Sequence, residues 1–371
     1  MKKENKNKKP EGMDRRSFLK GMALGAGAAL VLPATASAQS GTRPVQEGSE
    51  EKIDMFCHVL PKKYKEELFK KSKPCYYLEA DRNKPALFDL DMRFKDMDKF
   101  PGMRQVLTLG APPLEYALSP TDAVELARMA NDGMAELVEK YPDRFVAAVA
   151  SLPLNNVDAS LRETDRAMKE LKCKGIQIFS SVNGKPIDRP EFMPLYEKMA
   201  QYDLPIWLHP ARDVVVPDYV DENTSKYALS TTFGWPFETT LAMSRLVFSG
   251  VMDKYPNITF IAHHCGAMIP FFYRRIPQPA PPGAKLMKPS VEYFKRFYTD
   301  TVLAGNTPAL MCGHAFFGTE KITFATDYPY PGAKPDVAID DVIKSVEQMS
   351  VPEEDKAKIF SKNAKRLLKM T

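Results

Sequence analysis

His58, His209, His264 and Asp327 each close a short β-rich run, and a barrel of parallel strands gathers such ends at one mouth. Imidazoles and a carboxylate together suit a divalent first-row metal, with zinc or manganese as the fitting ions. The chain has five histidines, so three at the ends of separate runs is a concentration that chance does not readily give. His58, His209 and Asp327 make a three-ligand set, which leaves a position open for water or substrate, as catalytic zinc sites do. His264 is the candidate proton-transfer group, because imidazole titrates near neutrality and can activate water or protonate a carbanion. On a regular strand the adjacent His263 points the other way and is expected to pack behind it. His314 falls in a helical stretch, Thr307 to Phe317, and reads as a surface or packing residue.

One position spoils the set. Side chains alternate along a strand, so Asp54, Phe56 and His58 share a face while Met55 and Cys57 take the other. Phe56 therefore stands where a further ligand belongs and cannot bind metal. Cys57 could replace it only if the strand bulged.

The elements that must position these residues are short β-rich runs alternating with longer helical patterns. The strands are expected at Lys52–His58, Gln105–Leu109, Phe145–Leu152, Gly175–Phe179, Pro205–His209, Ile258–His264, Phe297–Val302 and Ile322–Asp327. Helical stretches such as Asp122–Lys140, Ser160–Leu171, Glu191–Tyr202 and Glu238–Met252 lie between them. Eight strands with intervening helices point to a (β/α)₈ TIM barrel. A doubly wound sheet is the alternative, but no G-x-G-x-x-G turn follows the first strand. Two excursions, Pro61 to Phe88 and Pro277 to Pro289, interrupt the alternation and are long enough for lids or subunit contacts.

The N-terminus reads differently. A lysine-rich start leads to Asp14-Arg15-Arg16-Ser17-Phe18-Leu19-Lys20, the apolar run Gly21 to Leu32 and Ala36-Ser37-Ala38. That order is a twin-arginine export signal over residues 1–38, followed by a polar linker, 39–51, and a barrel domain, 52–371. A periplasmic or secreted location follows as an expectation. Residues 1–38 hold eight of the 52 Lys/Arg and three of the 47 Asp/Glu, so the remainder carries 44 of each sign. A neutral mature chain offers no electrostatic reason to expect nucleic acid or an anionic membrane as partner. No later stretch approaches the roughly 20 apolar residues of a membrane span, so stable insertion of the mature chain is not expected. The five cysteines show no C-x-x-C spacing, and export permits a disulfide without specifying one.

Beyond these patterns stand ordered motifs: Ile53-Asp54-Met55-Phe56-Cys57-His58-Val59-Leu60-Pro61, Ile206-Trp207-Leu208-His209-Pro210 and Gly234-Trp235-Pro236-Phe237-Glu238-Thr239-Thr240. They continue in Ala262-His263-His264-Cys265-Gly266-Ala267-Met268-Ile269-Pro270, Phe297-Tyr298-Thr299-Asp300 and Ala325-Thr326-Asp327-Tyr328-Pro329. With them the chain, from Lys52 to Met370, resembles the amidohydrolase-related family that contains 2-amino-3-carboxymuconate 6-semialdehyde decarboxylase. The resemblance implies metal ligands at His58, His209 and Asp327, and His264 as catalytic histidine by its spacing from Pro270. It also implies Arg275 as the arginine that holds a substrate carboxylate, in some members across a dimer interface. A guanidinium suits that task because its planar fork binds a carboxylate bidentately. Two departures stand out. The family opens on His-x-His, or Glu-x-His in some decarboxylases, where this chain has Phe56-Cys57-His58, and Ala228 replaces a Trp near the substrate.

The expected function is a metal-dependent decarboxylase of a small carboxylated aromatic or unsaturated compound, with homodimerisation as an accompanying expectation. Hydrolysis of a lactone, ester or amide uses the same groups and is the alternative. A protein that binds small acids without full catalysis, having lost a ligand at Phe56, is the second alternative.

Overall fold

The first stave, β1 (Lys52–Val59), is buried along almost its whole length, as a strand covered on both faces of a parallel sheet must be. A computed structural model describes residues 50–332 and 334–370; the twin-arginine segment and most of the linker lie outside the described residues. After β1 come β2 (Met103–Leu109), β3 (Phe145–Ala148), β4 (Ala150–Ser151) and β5 (Ile176–Phe179). A small antiparallel hairpin, β6 (Ser181–Val182) and β7 (Lys185–Pro186), follows. The remaining strands are β8 (Ile206–His209), β9 (Phe260–Ala262), β10 (Tyr298–Asp300) and β11 (Ile322–Thr323).

Apart from the hairpin every pairing is parallel, in the orders β1-β2-β3 and β11-β10-β9-β8-β5-β4. With β3 and β4 as one interrupted stave, eight staves result. Backbone bonds close the ring: Val149 N donates to Leu107 O at 2.9 Å, Met55 N to Phe324 O at 2.9 Å and His58 N to Tyr328 O at 2.7 Å. The fold is a TIM barrel, and each expected strand finds its stave.

Helices cover the staves where the apolar spacing places them. Pro120–Lys140 starts on Ser119, whose side chain accepts from Asp122 N, with Pro at the first helical position, and buries Ala123, Leu126, Ala127, Ala130 and Met134 on one stripe. Val157–Lys169 is capped in the same way by Asn156. Gly175, with φ of +154°, starts β5 so close to Pro205 O that a Cβ would lie 2.2 Å from it.

The excursion after β1 is an anchored cap rather than a loose lid. Its helices Lys62–Lys71 and Tyr76–Arg82 sink Tyr64, Leu68 and Leu78 into the core, and Leu60 N donates to Leu87 O at 2.8 Å. All five cysteines are free thiols. Among the described residues no helix is long and apolar enough to cross a membrane.

Candidate metal centre

The C-terminal ends of the staves deliver the site. β1 supplies His58, β8 His209, the chain just beyond β9 His263, and the chain beyond β11 Asp327. One ligand atom from each lies within 4.8 Å of all the others, and all four residues are buried.

Each imidazole is held by one nitrogen and presents the other. His58 Nδ1 donates to Leu109 O at 3.2 Å, with Thr108 Oγ1 at 3.0 Å, and its Nε2 faces Asp327 Oδ1 at 3.0 Å. His209 Nδ1 donates to Pro210 O at 2.7 Å. His263 Nδ1 donates to Asp300 Oδ2 at 2.6 Å, and its Nε2 lies 3.4 Å from the same Asp327 oxygen. Fixing one ring nitrogen on an acceptor is how metal-binding histidines are oriented and their tautomer set. Asp327 itself has φ of +61°, a conformation that costs free energy in a non-glycine residue and collects at functional sites.

Charge is arranged to match. Burial works against the Asp327 carboxylate, yet the hydrogen bonds from His263 and His58 outweigh it and hold the group well below the usual carboxylate range. Burial, with His263 next, pushes His209 well below the ordinary imidazole value. For His263 burial is overcome by Asp300 and Asp327, and its pKa rises to about 9. A buried group of three imidazoles and an ionised carboxylate converging on one point fits a divalent cation, which would take the place of the hydrogen bonds between Asp327 and its neighbours.

His263 corrects the sequence expectation that it packs behind its neighbour. β9 ends at Ala262, but His263 remains extended, with φ −66° and ψ 159°, so it repeats the inward direction of Ile261 two residues before. The chain then turns left-handed at His264 (φ +56°) and Cys265 (φ +55°). Asp300 Oδ1 holds that turn by accepting from Cys265 N at 2.9 Å and Val302 N at 3.0 Å. His264 is thus carried beside the group rather than into it. Its ring lies 4.0 Å from that of His263 and 6.3 Å from Trp235, its Nδ1 is buried without a partner, and burial followed by His263 lowers its pKa to about 3.

Phe56 does face the site, stacked on His263 with centroids 4.1 Å apart. The pairing of β1 with β2 shifts register between Asp54 and Cys57, so strict alternation fails there, and Met55 and Phe56 both join the inner apolar cluster with Trp207. Cys57 still points outward, packed with Phe324 and Tyr328, so the bulge brings no thiol to the group. Arg275 lies on the exposed turn Tyr273–Arg275 and makes no ion pair among the described residues. Ala228 is exposed, at φ of +56°. His314 is where it was expected, in the helix Thr307–Phe317, paired with Thr319 Oγ1 at 2.9 Å.

Beside the group, a cleft of about 470 Å³ opens past the ends of β5 and β8, lined by Tyr77, Tyr116, Ser180, Ala211, Arg212 and Asp213 among others. Trp235 connects the two, edge-on to His209 at 5.7 Å and parallel to Tyr77 at 6.5 Å. Asp300 and Trp235 received no role from the sequence. Asp300 ends β10, whereas the expected strand ran on to Val302, so the signal available for it was the motif Phe297-Tyr298-Thr299-Asp300.

A family model described as amidohydrolase matches residues 53–370. The chain belongs to the amidohydrolase family. This amidohydrolase is 30% identical over 306 residues to a 2-amino-3-carboxymuconate-6-semialdehyde decarboxylase of Dictyostelium discoideum, covering 76% of this chain and 82% of the relative. It is 32% identical over 296 residues to a gamma-resorcylate decarboxylase of Polaromonas, covering 76% and 87%. Among solved structures, a dihydroxybenzoic acid decarboxylase of Polaromonas with bound manganese and the inhibitor 2-nitroresorcinol superposes with a TM-score of 0.73 at 28% identity, over 86% of this chain and 97% of that one.

Proposed function

We propose that this amidohydrolase is a metal-dependent decarboxylase of a small carboxylated aromatic or unsaturated acid. The observation that carries the reading is the convergence of His58, His209 and Asp327 at the barrel mouth of a chain whose relatives are decarboxylases of such acids. In this reading those three side chains hold one divalent ion, zinc or manganese. Such an ion supplies Lewis-acid polarisation of substrate oxygens. His264, neutral at pH 7, accepts a proton from water or substrate and passes one to the carbon that loses its carboxyl group. The adjoining cleft lies within the size range of small-molecule sites, and Tyr77 and Tyr116 in its lining offer an aromatic substrate apolar ring surface.

Arg275 is assigned to the substrate carboxylate across a homodimer interface. Its exposure, next to exposed Phe271, Phe272 and Tyr273, supports a role that one chain does not complete. Residues 1–38 are assigned to export by the twin-arginine route into the periplasm or medium, on the sequence pattern around Arg15 and Arg16. Replacing both arginines by Lys is expected to retain the precursor in the cytoplasm; undiminished export of that variant removes the assignment.

The reaction is tested by its product. Metal-loaded protein incubated with carboxylated aromatics is expected to release CO₂ and leave the ring intact. Ring or ester opening without CO₂ makes the chain a hydrolase, and tight binding without any turnover makes it a binding protein.

A further inference from the structure

We propose that the excursion after β1 carries positioning residues for the barrel mouth: Asp81 and Lys84 hold Tyr330 and, through it, the ring of His58 and the turn that presents Asp327. The assignment rests on reading this group as a metal centre, and none of the three residues belongs to the set of ligands itself.

The turn at Asp327 needs holding. Asp327 stands in a left-handed conformation, φ of +61°, and the turn it opens is closed by Tyr330 N donating to Asp327 O at 2.9 Å. Such a conformation costs free energy in a non-glycine residue and persists where the surroundings over-determine it. Here three elements each supply an aspartate that accepts from a hydroxyl of this segment. The Thr326 hydroxyl donates to Asp54 on β1, and the Tyr328 hydroxyl to Asp96 Oδ2 at 3.0 Å on the helix Leu90–Met97. The Tyr330 hydroxyl donates to Asp81 Oδ1 at 2.7 Å on the helix Tyr76–Arg82. Every second residue from Thr326 to Tyr330 is tied by its side chain, with Asp327 between the first two.

Of the three pairs, the one from Asp81 bears on a second ligand. Tyr330 packs edge-on against the His58 imidazole, with centroids 5.1 Å apart and an interplanar angle of 62°. A Cβ at Gly110 would lie 2.9 Å from the Tyr330 hydroxyl oxygen, so glycine there leaves room for the tyrosine to reach Asp81. Lys84 grips the same residue from its backbone, its Nζ donating to Tyr330 O at 2.8 Å and to Gly332 O at 2.9 Å. Asp81 is 1% exposed, and a hydrogen bond made away from water is stronger than the same bond at the surface. The hold is also a fixed one, because Tyr64, Leu68 and Leu78 root the excursion in the core.

The consequence is geometric. His58 is fixed at Nδ1 by Leu109 O and Thr108 Oγ1, which leaves its ring a tilt about that end. Tyr330 limits the tilt and keeps Nε2 at 3.0 Å from Asp327 Oδ1. One residue thus sets both partners of that contact, the imidazole by its ring and the carboxylate by its place in the turn.

The test compares Zn²⁺ affinity, read by competition with a chromophoric chelator, and urea midpoint across a small set of variants. Tyr330→Phe removes one hydroxyl, keeps the ring, and is expected to weaken binding by roughly 10-fold, the low end of the range for residues that orient a ligand. Asp81→Leu is expected to match it, and the double variant to bind no more weakly than Asp81→Leu alone, because the two residues act as one pair. Asp81→Asn keeps an acceptor oxygen and is expected to recover most of the loss. Lys84→Met keeps the stem without the donors and is expected to weaken binding as well; unchanged affinity there removes Lys84 from the proposal. A lowered urea midpoint with unchanged Zn²⁺ affinity in Tyr330→Phe, or losses that multiply in the double variant, overturns it. If Asp81→Leu does not fold, Tyr330→Phe still decides. A metal-free arm separates this proposal from the metal reading. The ring-nitrogen NMR signals of His58 are expected to move in Tyr330→Phe while those of His314 stay in place, and unmoved His58 signals overturn the positioning role. A wild type that binds no Zn²⁺ yet shows these His58 shifts removes the metal reading and leaves the positioning role standing.

Discussion

His264 combines a buried, unpartnered Nδ1 with a pKa lowered to about 3, so at neutral pH its ring is uncharged and one nitrogen is unused. An unsatisfied buried nitrogen costs about 1–3 kcal/mol, and this one is open to a proton from a neighbouring ligand. His264→Asn is expected to retain the bound metal and lower kcat by roughly 10²–10⁴-fold, the usual contribution of a positioned acid or base. Wild-type turnover in a metal-loaded variant removes His264 from the chemistry. A second residue, Glu115, makes a prediction about stability. It is 4% exposed, its Oε1 has no partner, and burial pushes its pKa up to about 8. The folded chain then keeps a proton that the unfolded chain releases, so this residue's contribution is fully present below pH 4.5 and is lost as pH climbs to about 8. The loss is on the order of a few kcal/mol. Glu115→Gln needs no proton and is expected to flatten the decline in urea midpoint between pH 5 and pH 8.5. An equally steep decline in both proteins contradicts the account.

At the scale of elements, the staves were legible because parallel strands buried on both faces read as apolar, β-branched runs. The helix expected from Asp122 starts two residues earlier, at Pro120 behind the Ser119 cap. The details that decide the site were less legible. Alternation along β1 assumes regular pairing, but the shift between Asp54 and Cys57 lets Met55 and Phe56 enter one cluster. Nothing in the local residue types marks it. A long-range clamp sits at the shift: Asp54 accepts from Thr326 N at 2.9 Å and from the Thr326 hydroxyl, tying the first stave to the last. The sixth expected strand, Ile258 to His264, ran two residues past the observed end at Ala262. The left-handed turn after His263 depends on Asp300, 35 residues beyond Cys265, so the order of the two histidines was not readable from their neighbours. His58, His209 and Asp327, by contrast, were picked out by their position at the ends of expected strands, and the structure brings the three together.

For the whole molecule, the balanced charge of residues 39–371 leaves shape and apolar surface to govern association. Phe271 is 75% exposed and packs edge-on against Phe272 at 4.8 Å, while Phe237 and Leu241 are exposed one turn apart on the helix Trp235–Phe248. Met268 N donates to Thr240 Oγ1 at 3.1 Å and ties these two segments together. Exposed apolar side chains on two segments tied in this way are what a subunit interface uses. Replacing Phe271 and Phe272 by Glu is expected to convert a dimer to a monomer by light scattering. It is also expected to raise KM for the carboxylated substrate by the same roughly 10–100-fold as Arg275→Gln, the worth of a charge-assisted carboxylate contact. A monomeric wild type, or a double variant with unaltered KM, contradicts the shared site.

The central question is whether a divalent ion at the barrel mouth is required for loss of the carboxyl group. The measurement is release of labelled CO₂ from a carboxyl-labelled aromatic acid by the purified protein, followed after chelation, after metal is restored, and in the Asp327→Ala variant. Release that stops on chelation, returns with zinc or manganese and stays absent in Asp327→Ala at lowered metal content is the predicted result. Undiminished release from the chelated protein or from Asp327→Ala contradicts it.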